Sequence, residues 1–370
     1  MSEPAGPMPA KLEALLRVEN LRVEFPSEDG VVHAVDGITY QVLPGKTLGI
    51  VGESGSGKTV ASLSVLGLTR YQGADVGGRI LFEGRDLVQL EDEELRKIRG
   101  NEIAMIFQDP LSSLHPLYKV GRQLTEAILT HREVSKAQAR DRAIELLGLV
   151  GIPDPAHRVD QYPHEFSGGM RQRAMIAMAL ANDPKLLIAD EPTTALDVTV
   201  QAQILALMER LQRELGMAIV IITHDLGVVA EMADDIAVMY AGRIVEAAPA
   251  REIFDSPEHP YTWGLLRSIP RLERDRGEPL VPIPGTPPSL VRPPSGCRFH
   301  PRCAYAQPSH SRIDPRLEPL SEEPDHFAAC LLEAQLRRGL WRALNAGATP
   351  EEAKQRAGYT EESPEGSPVT

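Results

Sequence analysis

Apolar and polar residues alternate along the first part of the chain in the pattern of β-strands. Residues 16–25 alternate one by one, which is typical of a strand with one buried face. A second strand is predicted near residues 34–42, and the apolar run at 46–51 predicts a short buried strand. Further along, strands and helices are predicted in turn at residues 185–189, 199–214, 217–222, 226–232 and 235–240. This alternation predicts a parallel sheet whose faces are covered by helices.

The centre and the end of the chain have other patterns. Residues 88–165 are predicted to be largely helical, with an amphipathic segment at 137–151, and another helix is predicted at 169–180. After about residue 250 prolines become frequent, and no long periodic element is expected before residue 329. A terminal helix is predicted at 335–344, whereas the polar residues 348–370 are expected to be disordered.

These changes of pattern predict four regions. A flexible N-terminus at residues 1–15 precedes a main α/β domain at 16–250, whose helical subdomain is expected at about 88–182. A small, loop-rich extension is predicted at 251–335, followed by the terminal helix and a disordered tail at 336–370. The length of 370 residues agrees with roughly two to three domains.

Composition and charge narrow the choice of partners. The chain has 39 Lys and Arg against 52 Asp and Glu, a net charge of −13, which argues against nucleic acid as the main partner. No apolar run reaches the ~18–20 residues that cross a bilayer, and the first residues lack the pattern of a signal peptide. The sequence therefore predicts a cytosolic protein that reaches a membrane only by docking on another polypeptide.

A complete P-loop follows the third predicted strand and precedes a helix predicted at residues 59–67. Its glycines allow backbone N–H groups to surround phosphates, and the helix N-terminus adds the positive end of its dipole. Lys58 is the candidate cation for the β- and γ-phosphates, and Thr59 offers a hydroxyl to Mg²⁺. ATP and Mg²⁺ are the expected ligands; a glycine-rich structural turn is the alternative. The loop consists of Gly52, Glu53, Ser54, Gly55, Ser56, Gly57, Lys58 and Thr59.

Two acids end the predicted strand at 185–189. Asp190 can hold Mg²⁺ through water, as carboxylates at this place in P-loop proteins do, and Glu191 follows it directly. Taken alone, such a pair more often marks a solvated strand end or a helix cap. His224 follows another apolar run, and taken alone it would be a structural residue at a strand end.

A third segment decides which kind of nucleotide protein this is. The sequence Phe166-Ser167-Gly168-Gly169-Met170-Arg171-Gln172 lies between the P-loop and the strand that ends at Glu191. The P-loop, this segment and the strand that ends in Asp190 and Glu191 resemble, in their residues and in their order along the chain, the ATP-binding subunits of ABC transporters. The resemblance implies a P-loop NTPase core with a RecA-like parallel or mixed sheet, an antiparallel β subdomain and a helical subdomain, to which the loop-rich C-terminal extension is added.

The resemblance also implies roles for single residues. Glu191 would polarise the attacking water, His224 would contact the γ-phosphate, and Lys58 would neutralise charge on the phosphates. Gln108 matches the Q-loop glutamine that senses Mg²⁺ and water. Phe25 matches an aromatic residue that stacks on adenine, although an ordinary core position is the alternative. The implied ligands of Mg²⁺ are Thr59, Gln108 and Asp190.

In this family the Ser-Gly-Gly segment acts on a second subunit. Ser167, Gly168 and Gly169 precede a predicted helix, so their N–H groups form a second anion site. Two ATPase subunits of the family sit head to tail, and each such segment closes on the nucleotide of the other. Asp197 matches the D-loop that lines the same interface. The resemblance therefore implies that one chain holds only part of a complete active site.

Further segments resemble one branch of the family, the ATPase subunits of oligopeptide, dipeptide and nickel permeases. The segments are 109–116, 170–173, 259–262 and 268–270, with His115 where that branch usually has Asn. The implied function is ATP hydrolysis that drives import of di- or oligopeptides, with nickel or another solute as the alternative. The implied partners are a second ATPase subunit, commonly a paralogue, two transmembrane permease subunits and, indirectly, an extracellular solute-binding protein. The implied location is the cytoplasmic face of the membrane.

The extension contains all three cysteines of the chain. A disulfide framework is not expected from so few, but Cys297, Cys303 and Cys330 with His310 are candidate ligands of a 4Fe–4S cluster or of Zn²⁺. Members of the family often carry a fourth Cys where this chain has His310. The alternative is that the cysteines only fill the core of a loop-rich module.

Two other functions compete with transport. Soluble ABC proteins that act on ribosomes or DNA usually have two ATPase cores or a long coiled-coil insertion, and this sequence has neither. A regulatory subunit without turnover would lack Glu191 or His224, and both residues are present.

Overall fold

The computed structural model describes five stretches of the chain: residues 13–108, 114–194, 196–268, 282–321 and 323–361. Three predictions fall partly or wholly outside them. These are the flexible N-terminus before residue 13, the permease-like segments at 109–113 and 269–270, and the end of the tail after residue 361.

The strands of the described residues form two sheets. The smaller one is antiparallel, in the order β2-β1-β4-β5, and the larger one is mixed, in the order β11-β12-β10-β9-β3-β8-β7-β6. The strands are β1 Leu16–Ser27, β2 Gly30–Val42, β3 Thr47–Val51, β4 Asp75–Phe82, β5 Arg85–Asp86, β6 Ile103–Ile106, β7 Leu186–Asp190, β8 Ala218–Thr223, β9 Asp235–Tyr240, β10 Arg243–Pro249, β11 Glu318–Pro319 and β12 Phe327–Ala328.

The helices of the described residues lie between and after these strands along the chain. No helix in the described part of the chain is both long and apolar enough to cross a membrane. The helices are α1 Lys58–Val65, α2 Asp92–Ile98, α3 Val120–His131, α4 Lys136–Leu149, α5 Pro155–Arg158, α6 Gly168–Ala179, α7 Val198–Leu215, α8 Leu226–Met232, α9 Ala250–Asp255, α10 Pro260–Arg267, α11 Ala334–Asn345 and α12 Pro350–Ala357.

The centre of the larger sheet positions the nucleotide residues. Strands β3, β7 and β8 are buried at every position, as expected of parallel strands with both faces covered. β8 lies between β3 and β7, and all three run parallel. Their carboxyl ends therefore meet at one edge, where the P-loop leaves β3, Glu191 follows β7 and His224 follows β8.

Three apolar clusters hold these elements together. One packs α3, α4, α6 and α7 against β6, β7 and β8, and a second fills the space between the two sheets. The third joins the extension to β9 and β10, and it contains the fully buried side chains of Tyr240, Tyr261 and Trp263. The extension is therefore continuous with the core of the ATPase domain.

The α/β fold class of the sequence analysis is confirmed, but two local predictions are wrong. The stretch 88–165 is not largely helical throughout, because the short apolar run at β6 pairs with β7 and completes the sheet. α12 lies in the tail expected to be disordered, where a capping box of Thr349 and Glu352 begins the helix and buried Ala353 anchors it.

A buried ionic cluster ties the extension to β10. The carboxylate of Glu246 is fully buried; it contacts His326 Nε2 at 2.8 Å and accepts the backbone N–H groups of Glu258 at 2.5 Å and His259 at 3.1 Å. Burial lowers the pKa of His326, but the hydrogen bond and the charge of Glu246 outweigh it, so the net shift is upward. His326 thus favours the protonated form in the folded protein.

Replacing His326 by Gln is expected to lower the free energy of unfolding by about 3 kcal/mol at pH 6 and by less at pH 9. Because the folded pKa is raised, the stabilisation is complete below the unfolded pKa of about 6.5 and is lost as the pH rises through the folded value. Denaturant unfolding of both proteins at the two pH values measures this difference. The exposed His157→Gln variant is the control, and an equal or larger loss at pH 9 contradicts the assignment.

Candidate nucleotide site

The P-loop is packed so closely that two of its glycines have no room for a side chain. A Cβ on Gly52 would lie 2.1 Å from the carbonyl oxygen of Met239 in β9. A Cβ on Gly57, whose φ is 101°, would lie 2.2 Å from the carbonyl oxygen of Ala34 in β2. The loop is thereby clamped between the two sheets at the start of α1.

Lys58 lies inside this loop. Its side chain is buried, and Nζ donates to the carbonyl oxygens of Gly52 at 2.6 Å and Glu53 at 2.9 Å. Burial lowers the pKa of Lys58, and the charges of Glu191 and Asp190 act in the opposite direction. A positive charge at the centre of a ring of backbone groups is suited to binding phosphate oxygens.

Thr59 and Asp190 lie together, as predicted for Mg²⁺ ligands. Thr59 Oγ1 donates to Asp190 Oδ1 at 3.3 Å, and Asp190 is 2% exposed. Burial raises the pKa of Asp190, and the hydrogen bond from Thr59 opposes that rise. A hydroxyl and a carboxylate oxygen are hard ligands of the kind that Mg²⁺ prefers, so the donor set fits that ion.

Glu191 is the centre of the polar contacts beyond β7. Its backbone has a left-handed φ of 48°, and its N–H donates to the carbonyl oxygen of Ile222 in β8 at 2.8 Å. Its carboxylate accepts hydrogen bonds from Thr194 Oγ1 at 2.8 Å and from Gln108 Nε2 at 3.1 Å, and it contacts His224 Nδ1 at 3.1 Å. Three side chains from separate segments therefore fix one carboxylate.

The protonation state of Glu191 follows from these contacts. Burial raises the pKa of Glu191, but the hydrogen bonds from Thr194 and His224 and the charge of Lys58 outweigh it, so the pKa lies below its usual value. The carboxylate is therefore ionised at neutral pH and can accept a hydrogen bond from water. Thr194 was missed in the sequence analysis, and its only signal was its place three residues after Glu191.

The Ser-Gly-Gly segment begins α6 as predicted. Ser167 is the N-cap, and its Oγ accepts the backbone N–H of Met170 at 3.3 Å. Ser167 and Gly168 are exposed, and a Cβ on Gly168 would meet no atom within 4 Å. The N-terminus of this 12-residue helix is therefore open to a ligand or a partner.

The same helix is linked to the loop that follows Glu191. Gln172 Nε2, which is buried, donates to the carbonyl oxygen of Pro192. Sequence analysis quoted Gln172 only as part of the family motif and gave it no role. The bond connects the Ser-Gly-Gly helix directly to the segment that carries the central carboxylate.

The structure also shows the surroundings of Asp197 and Phe25, the predicted interface residue and the predicted adenine-stacking residue. Asp197 is the exposed N-cap of α7 and accepts the N–H of Val200 at 2.9 Å; next to it Val198 is 83% exposed. Phe25 lies opposite Val32 and is half-buried against the core between the sheets, so adenine stacking stays a prediction.

The predicted cluster or Zn²⁺ site at Cys297, Cys303, His310 and Cys330 is not supported. No group of three or more His, Cys, Asp or Glu side chains in the five described stretches is arranged to hold a metal ion. Burial raises the pKa of Cys330 to about 11, and burial also raises the pKa of Cys303. His310 Nδ1 accepts the backbone N–H of Gln307 at 3.2 Å. The cysteines instead pack against the apolar cluster of the extension.

Sequence profiles of two known families match the chain. The profile described as ABC transporter matches residues 35–194, which include the P-loop, the Ser-Gly-Gly segment and Glu191. The profile described as the C-terminal region of oligopeptide/dipeptide transporters matches residues 245–309. The first match covers the nucleotide site from the P-loop to Thr194, and the second covers most of β10 and the first part of the extension.

Curated relatives match most of the chain. It is 56% identical to the oligopeptide transport ATP-binding protein OppD of Bacillus subtilis, over 84% of this chain and 86% of the relative. It is 51% identical to the dipeptide transport ATP-binding protein DppD of the same species, over 88% of this chain and 96% of the relative. It is 50% identical to OppD of Salmonella typhimurium, over 89% and 97% of the two chains.

Solved structures of ATP-binding cassettes have the same core fold. A dimeric structure of the cassette MJ0796 in a post-hydrolysis state, bound to ADP and Pi, is 26% identical and matches with a TM-score of 0.57 over 64% of this chain and 99% of the other. The structure of cbiO1 from Clostridium perfringens, part of a transporter complex, is 30% identical with a TM-score of 0.56, over 66% and 91% of the chains. These matches account for about two thirds of the chain.

Proposed function

We propose that this chain, which belongs to the ABC transporter family of ATP-binding proteins, powers the import of di- and oligopeptides across a membrane. As a member of that family it is an ATPase whose hydrolysis of ATP is coupled to transport. The observation that carries the catalytic part of the proposal is the Glu191 carboxylate, held ionised and oriented by Thr194, Gln108 and His224 at the edge where the P-loop begins.

The residues of the site have different roles in the hydrolysis of ATP. Glu191 accepts a hydrogen bond from the attacking water and orients it toward the γ-phosphate, while His224 and Thr194 keep the carboxylate in place. Lys58 neutralises the charge that develops on the phosphate oxygens. Asp190 and Thr59 are the residues that would hold Mg²⁺, and the ion would supply further neutralisation of the phosphates. Gln108, whose Nε2 donates to Glu191 at 3.1 Å, would be the third ligand.

A second ATPase subunit completes the site in this proposal. The open N-terminus of α6 at Ser167 and Gly168, together with the exposed Val198 beside Asp197, supports a face that meets another subunit. That subunit is a paralogue of this chain. The Ser-Gly-Gly segment of this chain contacts the nucleotide of the paralogue, and the equivalent segment of the paralogue contacts the nucleotide of this chain. Closure around ATP and opening after hydrolysis then move two permease subunits at the cytoplasmic face of the membrane, which an extracellular solute-binding protein supplies.

Peptides are the preferred cargo because the C-terminal match and the relatives named above belong to oligopeptide and dipeptide transport. We expect vesicles that contain this chain, a partner ATPase subunit, the two permeases and the solute-binding protein to accumulate a labelled dipeptide or oligopeptide only when ATP is present. The same vesicles tested with Ni²⁺ are the control for the alternative solute. Uptake of Ni²⁺ without uptake of peptide contradicts the cargo while leaving the ATPase role intact.

A further inference from the structure

The loop between Cys297 and Cys303 sends two arginine side chains from the extension into the ATPase core. Arg298 forms an ion pair with Asp36 of β2 and donates to the carbonyl oxygen of Ala241. Arg302 forms an ion pair with Glu53 in the P-loop, and its side chain is 5% exposed. The extension therefore touches the phosphate-binding loop itself.

The contact between Arg302 and Glu53 has the geometry of a strong, directional pair. Nη1 lies 2.6 Å from Glu53 Oε2 and Nη2 lies 2.9 Å from Oε1, so both carboxylate oxygens are engaged. Arg302 Nε donates to the carbonyl oxygen of Pro284 at 2.8 Å, and the guanidinium lies 5.8 Å from the centre of the Tyr240 ring. The hydrogen bond and charge of Glu53 raise the pKa of Arg302, which stays protonated. The guanidinium of Arg302 is thus held both by the P-loop and by the extension.

A second group of the extension holds the backbone of the same residue. The hydroxyl of Tyr261, which is buried in α10, accepts the N–H of Glu53 at 2.8 Å. The carbonyl oxygen of Glu53 in turn accepts Lys58 Nζ at 2.9 Å. The extension is therefore two contacts away from the cation that binds phosphate, through Glu53.

From this geometry we propose that Arg302 is a positioning residue for nucleotide binding, through Glu53. The P-loop carries a carboxylate, Glu53, whose negative charge acts on Lys58, the candidate cation for the phosphates. Arg302 neutralises that carboxylate and holds it toward the extension, and Tyr261 fixes the backbone beside it. The inference rests on the binding of ATP by the P-loop, and it gives the extension a direct part in that binding.

Charge predicts how the loss of Arg302 should affect different nucleotides. Without the guanidinium, Glu53 keeps a negative charge beside the phosphates and repels them. A nucleoside triphosphate carries more negative charge than a diphosphate, so its affinity should fall more. Removing the charge of Glu53 as well should restore affinity, because the repulsion then has no source. A purely structural role of Arg302 would not produce that rescue.

The test is isothermal titration of the purified full-length chain with the Mg²⁺ complexes of AMP-PNP and ADP. For Arg302→Met we expect the Kd for AMP-PNP to rise about tenfold and the Kd for ADP about threefold. Glu53→Gln is measured alone as the reference for the double variant, and Glu53→Gln/Arg302→Met should bind AMP-PNP with a Kd within about threefold of that reference. Arg302→Lys, which keeps a charge but not the fork, should rise about threefold and serves in place of Arg302→Met if that variant does not fold.

Arg337→Met is the matched control, because Arg337 forms a buried ion pair with Glu258 at 2.9 Å within the extension. It should lower the thermal stability and leave both Kd values within about twofold. A double variant that binds AMP-PNP no better than Arg302→Met, or single Arg302 variants that bind like the wild type, would overturn the inference. A wild-type chain that binds neither nucleotide would overturn the proposed function together with it.

Discussion

Glu191→Gln is expected to lower the turnover of ATP by about 100- to 1000-fold while nucleotide affinity changes by no more than about twofold. Glutamine keeps the shape of the side chain, but its neutral amide cannot accept the proton or carry the charge that orients water. Thr194 and His224, which now contact an ionised carboxylate, would still fill the same space. Steady-state ATPase assays and nucleotide titrations on the same preparation separate the two effects.

The control for this prediction is Glu209→Gln on the exposed face of α7. Glu209 pairs with Arg213, one turn along the same helix, and its replacement should leave turnover unchanged. If Glu191→Gln hydrolyses ATP at more than about a tenth of the wild-type rate, the carboxylate is not the group that orients water.

Gly168→Asp is expected to lower the turnover of the assembled ATPase about 100-fold without lowering the stability of the chain. Gly168 begins α6, is exposed and has open space where a Cβ would lie, so the substitution does not disturb the fold of its own subunit. An aspartate there places a negative charge on the surface that is proposed to meet a γ-phosphate. Thermal unfolding and ATPase assays, each with and without the partner subunit, measure the two expectations.

Gly148→Asp adds the same charge elsewhere and is the matched control. Gly148 is an exposed glycine in α4, and a Cβ on it would meet only Pro155, at 3.8 Å. The ATP turnover of the assembled Gly148→Asp protein should equal that of the wild type. Nucleotide binding by isolated Gly168→Asp should also be unchanged, since the segment serves the nucleotide of the other subunit. Full ATPase activity of the assembled Gly168→Asp protein contradicts a role of this surface in hydrolysis.

Local sequence signals account for much of the nucleotide site. The apolar runs ahead of the P-loop and of Asp190 predict buried strands, and β3 and β7 lie there with the expected residues at their ends. Parallel strands bring those ends to one edge, so the sequence pattern alone places Lys58, Asp190 and Glu191 together. Glu191 and Gln108 are in contact, although they are far apart in sequence.

The contacts that the sequence did not reveal are made by single side chains to residues in other elements of the fold. Arg302 reaches Glu53 from a loop more than two hundred residues away, and no periodic pattern marks it. Gln172 of α6 donates to the carbonyl oxygen of Pro192, in the loop that follows β7. The cysteine spacing suggested a metal site, but the described residues contain no group arranged to hold a metal, and the three cysteines pack against an apolar cluster. In each case tertiary packing, and not the local pattern, decides the role.

The central claim is that two ATPase subunits complete each other's nucleotide sites. The most direct test is the ATP turnover per chain, measured as the purified chain is diluted and again with a partner ATPase subunit added, while sedimentation reports the fraction of dimer. The account predicts ATP turnover close to zero for the monomer and a rise in proportion to the fraction of dimer when the partner ATPase subunit is added. Turnover per chain that is high in the monomer and does not change on association would contradict it.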